Sequence, residues 1–329
     1  MRSLKARLLT AYAGSIWAMM PEALAQLEAA VMAMPDEPGA PLNAAQIAAL
    51  ERVLGAQDLD ARTIHPATER ATAAKAGGVA IVPIKGLITR NLSMADACAG
   101  VVATDPIKVA EAVEAADANE NIKAIVADVN SPGGVTTGVV EAGARIRAVA
   151  AKTKKPMIAQ VNGLCASAGY WLASGFPEIS ITPSGMIGSI GVYTHHDNVA
   201  EKMAKEGVTR TYVSAGPHKL DGAPNGPLSE EALARIQERV DYTYEQFLTA
   251  VAEGRGDTVA NVRGGYGQGA VLMPGPAIKA KLADRERTME ETMAALGVKV
   301  TSAGGPANGA RALEVRRLEL EMLAEGVGH

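Results

Sequence analysis

The apolar positions of this chain fall into two alternating textures. Short, β-rich apolar runs at 79–84, 122–129, 156–161 and 179–182 read as strands. Longer stretches at 107–116, 139–151 and 166–173 space their apolar residues as helices do, and lie between those runs. Strand–helix alternation of this kind predicts an α/β fold with a mostly parallel sheet. Upstream, Leu24, Leu27, Val31 and Met34 repeat at helical spacing, a turn-rich stretch follows at 35–41, and Ile47, Leu50, Val53 and Leu54 resume the helical pattern. Downstream, Ser229 is a natural N-cap ahead of Glu230 and Glu231. Leu233, Ile236, Val240, Tyr244, Phe247 and Val251 then form one stripe, expected to face the core. A Gly/Pro/Ala linker at 303–308 leads to a charged, Leu-bearing helix at 311–323. The expected organisation is an N-terminal helical segment at 1–76, an α/β domain at 77–297, and a linker with helical tail at 298–329.

Composition narrows the function classes. Aromatic residues are 3% of the chain, against 48% hydrophobic overall, so stacking platforms for single-stranded nucleic acid are not expected. A net charge of −4 supplies no basic footprint for DNA or RNA. Cys98 and Cys165 are too few for a disulfide framework, lack metal-ligand spacing, and suit a reducing cytoplasm. No cofactor signal is present. Near the start, Arg2, Lys5 and Arg7 precede an apolar stretch at 8–20 that imitates a signal peptide. The stretch is too short to span a membrane and ends at Pro21-Glu22, a good helix start, so it is read as part of a soluble helical segment.

Four segments could carry chemistry. Asn130-Ser131-Pro132-Gly133-Gly134 follows the second strand, where a Pro and two glycines allow a turn with outward-facing N–H groups. Asn162-Gly163-Leu164-Cys165-Ala166-Ser167-Ala168-Gly169 follows the third and sets one serine among small residues at a helix start, its oxygen exposed. It departs from the G-x-S-x-G elbow, because Cys165 stands at the first glycine's place. Ser184-Gly185-Met186-Ile187-Gly188-Ser189-Ile190-Gly191 is a glycine-rich loop entering another strand. Gly216-Pro217-His218-Lys219-Leu220-Asp221-Gly222-Ala223-Pro224 holds one lysine between glycines and prolines. Taken singly, each segment reads equally as a tight turn, close packing or a solvated surface charge.

In order and spacing, the four together resemble the signal peptide peptidase A-like family of Ser–Lys proteases over about residues 77–297. The segment Trp17-Ala18-Met19-Met20-Pro21-Glu22-Ala23-Leu24 looks like the helical leader of that family's phage branch, the capsid assembly proteases. The resemblance implies a Clp protease/crotonase-like spiral of ββα units. It implies Ser167 as nucleophile, Lys219 as general base, and Ser189 and Gly133 in support. The N–H groups of Gly134 and Ala168 would form the oxyanion hole. It further implies a homo-oligomer acting on capsid scaffold or portal proteins in the host cytoplasm or prohead, without membrane or nucleic-acid partners. A lysine accepts a proton only when neutral, which asks for ~4 kcal/mol of differential solvation near neutral pH.

Three other readings remain. His195, His196 or His218 could serve Ser167 in a Ser–His–Asp triad. The same glycine turns could polarise the thioester of an acyl-coenzyme A in a crotonase-like enzyme. The helical ends could bind capsid proteins in an idle scaffold, a role that the Leu313, Leu320 and Leu323 stripe would suit.

Overall fold

The computed structural model describes residues 17–20, 78–90 and 103–298. Most of the expected N-terminal helical segment, Cys98 and the C-terminal tail lie outside them. The elements in chain order are β1 (Trp17–Met19), β2 (Val79–Ile88), β3 (Ala103–Thr104), α1 (Pro106–Ala118), β4 (Ala124–Val135) and α2 (Val139–Ala150). Next come β5 (Met157–Ala166), α3 (Ala168–Ala173), β6 (Glu178–Ile181), β7 (Met186–Gly188) and α4 (Ala200–Lys205). The chain continues with α5 (Glu230–Arg255), α6 (Val259–Gly265), β8 (Val271–Leu272), α7 (Pro274–Lys279), β9 (Arg285–Glu286) and α8 (Met289–Ala295).

The sheet runs β3-β2-β4-β5-β6-β9 with every neighbouring pair parallel. Parallel strands need crossovers, and α1, α2 and α3 supply them. Successive side chains of a strand face opposite ways. Ala80, Val82 and Ile84 of β2, with Ile125, Ala127 and Val129 of β4, therefore enter one core, beneath α1, α2, α3 and α5. Val79, Ala124 and Val126 face the other side and meet Met293 beside α8.

Helix boundaries follow local chemistry. Asp105 accepts the Ile107 N–H at 2.9 Å ahead of Pro106 in α1, and Ser229 accepts the Ala232 N–H at 3.1 Å ahead of α5. Two of the few aromatics meet between helices. Trp171 of α3 and Phe247 of α5 stack at 4.4 Å, both fully buried.

Three expectations need correction. First, residues 17–19 are strand rather than helix, paired antiparallel with β4. Trp favours strands, all three residues are buried, and the ladder edge of β4 supplies the partner. Second, the strands do not stop at the glycine-rich segments. β4 runs on through Ser131-Pro132-Gly133-Gly134 after a register shift beyond Val129, and β5 runs to Ala166. Third, the stripe on α5 is core-facing only toward its C-terminal end, where Thr243, Phe247, Leu248 and Val251 are buried. Leu233 is 55% exposed, because a 26-residue helix is ~39 Å long and overhangs the sheet.

Candidate active site

β5 ends at Ala166 and α3 begins at Ala168, so Ser167 alone carries the strand-to-helix reversal. Its backbone sits at φ 57, ψ −117, a region that a side-chain-bearing residue occupies at a cost of ~1–3 kcal/mol. Surrounding bonds hold it there. The Ser167 N–H donates to the Gly188 carbonyl at 2.9 Å, and its own carbonyl accepts the Trp171 N–H at 2.9 Å. The sharp elbow thus forms with Cys165 at the place of the first glycine. Gly169 keeps the second place, where an added Cβ would lie 3.3 Å from the Ser131 Cβ. Burial pushes the Cys165 thiol pKa up, so the thiolate form is suppressed and the cysteine is structural.

Two of the other glycine-rich segments close around Ser167. Gly188 ends β7, which pairs with the end of β5, and the Ser167 hydroxyl points at the Gly191 carbonyl, 3.4 Å away. Ser189 between them is also at positive φ, 55, and its N–H donates to the Ala270 carbonyl at 2.8 Å. On the opposite side stands Gly133, at φ 101. A Cβ there would lie 2.9 Å from the Ser167 Cβ and would collide with the Ala18 carbonyl oxygen. Gly134 is as tightly packed against the Ile88 backbone. This extended pair is fixed by Ser131, whose hydroxyl donates to the Gly86 carbonyl at 2.6 Å and accepts the Gly133 N–H at 3.1 Å. Ser131 was visible in the sequence only as a motif letter, and its positioning role needed the fold.

The structure therefore brings Ser167, Gly133, Gly134, Ala168 and Ser189 together. Ser167 is fully buried rather than exposed, with β1 lying along residues 133–135 beside it. Lys219 is elsewhere. It lies on a surface loop within residues 206–220, all of them exposed, and no hydrogen bond joins its amine to Ser167. Asp221 anchors this loop, accepting from the Arg235 guanidinium of α5 at 2.6 Å. That bond lowers the Asp221 pKa, keeping the carboxylate charged. The three histidines weighed as bases have other partners than Ser167. The His196 ring bonds the Gly226 carbonyl at 3.0 Å, His218 faces Asp221 at 3.7 Å, and His195 lies 3.8 Å from Asp197. Among the described residues, no helix is long and apolar enough to cross a membrane and no His/Cys/Asp/Glu cluster could hold a metal ion.

Residues 149–301, which include Ser167, Ser189 and Lys219, match the model of peptidase family S49. The similarity to that family covers just under half of the chain. Members of the family share the Clp protease/crotonase-like fold, in agreement with the parallel sheet and crossover helices described above. Among curated relatives, capsid assembly protease C of Escherichia phage lambda is 30% identical over 210 residues, 63% of this chain and 46% of that protein. The head-tail preconnector protein of Enterobacteria phage P21 is 30% identical over 207 residues, 63% of this chain and 40% of that protein. Protease 4 of Salmonella typhi is 36% identical over 137 residues, 41% of this chain and 21% of that protein. The chain thus spans less than half the length of each of these relatives. A ClpP1 mutant from Listeria monocytogenes aligns with 56% of this chain and 85% of its own at 16% identity, with a TM-score of 0.35.

Proposed function

We propose that this chain is a serine endopeptidase of the S49 family in which Ser167 is the nucleophile and Lys219 the general base. The observation that carries the reading is the Ser167 backbone: a non-glycine residue held at φ 57, ψ −117 between a strand and a helix, with Gly133 packed against its side chain. Strain of this kind persists where the surroundings enforce it, and it aims a hydroxyl away from the strand.

In the proposed reaction the Ser167 Oγ attacks the peptide carbonyl while the Lys219 amine takes the hydroxyl proton. The N–H groups of Gly134 and Ala168 stabilise the oxyanion. Collapse breaks the C–N bond, and the lysine returns its proton to the leaving amine. Water then attacks the acyl-serine with the lysine again as base, which releases the acid and restores the hydroxyl. Ser189 orients the lysine. For this chemistry the 206–220 loop must approach Ser167, from the same chain or from a neighbouring copy in a homo-oligomer. Phage relatives named for capsid assembly and head-tail connection support head proteins, scaffold or portal, as substrates.

Coexpression with the neighbouring capsid gene products, followed by intact mass spectrometry, tests the reading. Wild type should truncate a head protein, and Ser167→Ala and Lys219→Ala should each abolish the truncation. Cleavage that survives both substitutions refutes the dyad. Loss with His218→Ala while Lys219→Ala stays active points to a histidine base instead.

A further inference from the structure

The nucleophile is closed off by the chain's own strand. Ser167 is 0% exposed, and β1, which lies along the Gly133 side of it, is itself buried, with Trp17 at 1%, Ala18 at 0% and Met19 at 2%. β1 runs antiparallel to β4, with Trp17 opposite Val135, Ala18 opposite Gly134 and Met19 opposite Gly133. Its other edge meets Tyr193: the Trp17 N–H donates to the Tyr193 carbonyl at 2.8 Å, and the Tyr193 N–H donates back at 3.0 Å.

These bonds fix the direction of every backbone group in the segment. Trp17 spends both of its groups on Tyr193, and groups of successive strand residues point to alternate sides. The groups of Ala18 therefore face β4, and the Met20 N–H, donating to the Pro132 carbonyl at 3.2 Å, continues that ladder. Ala18 and Gly134 are accordingly a hydrogen-bonded pair, with the Gly134 N–H donating to the Ala18 carbonyl. The same oxygen lies beside Ser167. The point where a Cβ on Gly133 would sit is 2.9 Å from the Ser167 Cβ and closer still to the Ala18 oxygen. The two approaches put the Ala18 carbonyl oxygen within about 5 Å of the Ser167 Cβ, near where an attacked carbonyl would be held.

We infer that residues 17–20 are an internal pseudosubstrate, filling the groove in which a peptide substrate adds as a strand between residues 133–135 and Tyr193. Resting on the reading of Ser167 as nucleophile, this makes the described form a closed one, and a substrate enters when β1 leaves. Strand addition takes its affinity from main-chain bonds and its selectivity from enclosed side chains. Ala18 is enclosed within the main core, so the groove selects an extended apolar segment with a small residue facing Gly134.

A reversible staple tests this in the full chain. Trp17 and Val135 form a pair without mutual hydrogen bonds, whose Cα atoms lie ~4.5 Å apart in such ladders, within disulfide reach. Trp17→Cys/Val135→Cys would be oxidised, the bridge verified by mass, and labelling of Ser167 by a fluorophosphonate timed before and after reduction, with Ser167→Ala as blank. The rate follows the fraction of open form, so the stapled protein should label roughly tenfold or more slowly, and reduction should restore the rate. Equal rates in both states overturn the pseudosubstrate and leave the nucleophile standing. Absence of labelling in every form, wild type included, overturns the nucleophile and the pseudosubstrate with it. A second variant, Ala18→Pro, removes a ladder N–H without a bridge and should label several-fold faster than wild type. Labelling slowed to the Ser167→Ala blank would instead make β1 a structural strand and refute the proposal.

Discussion

Replacing Ser131 by alanine should damage the candidate site without altering Ser167. The Ser131 hydroxyl is fully buried and serves two backbone groups, the Gly86 carbonyl at 2.6 Å and the Gly133 N–H at 3.1 Å. Ser131→Ala removes one oxygen and strands both partners. Each of the two buried groups left unsatisfied costs ~1–3 kcal/mol, so the loss should be about 2–6 kcal/mol. Measured against the ~5–15 kcal/mol by which domains are stable, that is a substantial fraction. Urea denaturation followed by far-ultraviolet circular dichroism should show a midpoint lowered by about 1 M, with an unchanged slope. Fluorophosphonate labelling of Ser167 should also slow by roughly tenfold, because Gly133 and Gly134 lose the bond that holds them against the serine. A stability change below ~0.5 kcal/mol would refute the reasoning, since it would mean that neither backbone group depends on this hydroxyl.

Gly133→Ala should cost roughly a hundredfold in Ser167 labelling rate, because its Cβ meets the Ser167 Cβ at 2.9 Å from a backbone at φ 101; unaltered labelling would contradict that packing. Gly254→Ala should lower stability by about 1–3 kcal/mol in the same denaturation assay, because its Cβ would collide with the Ser174 carbonyl. Alanine's better helix propensity, worth ~1 kcal/mol, opposes this loss, so a net gain in stability would show that the helices part easily. Titration of the phenols at 295 nm should find Tyr266 ionising late, its pKa pushed up to about 12 by burial and then by the Asp257 carboxylate. Tyr170 should ionise later still, its pKa raised by burial. A raised folded-state pKa favours the neutral phenol, so this stability is intact below the unfolded value near pH 10 and is lost as pH rises toward 12. Simultaneous ionisation of all 7 tyrosines near pH 10 in the folded chain would refute it.

Much of this arrangement was legible in the sequence because its signals are local. The β-rich runs and helical spacings named β2, β4, β5 and β6, and α1, α2, α3 and α5, to within a few residues at most boundaries. Ser229 marks a helix start through a bond made within three residues. The glycines also spoke locally, since Gly133 and Gly188 need a positive φ that other residues avoid.

What the sequence by itself determined was the order of strands and helices, the parallel sheet that such an order implies, and the identity of the serine and glycines that meet at its edge. Only the tertiary structure decided how far the strands run, which of those residues touch, and what lies over them. Trp17 and Val135 are separated by more than a hundred positions, so no periodicity could reveal that β1 becomes a strand by pairing with β4. The strain at Ser167 was hidden for the same reason, because the bonds that enforce it come from Gly188 and from packing against Gly133. Burial of the serine, and exposure of Lys219 on its loop, depend on how distant chain segments pack together. Local pattern fixes local structure, whereas a reacting constellation depends on contacts whose partners are distant in the chain.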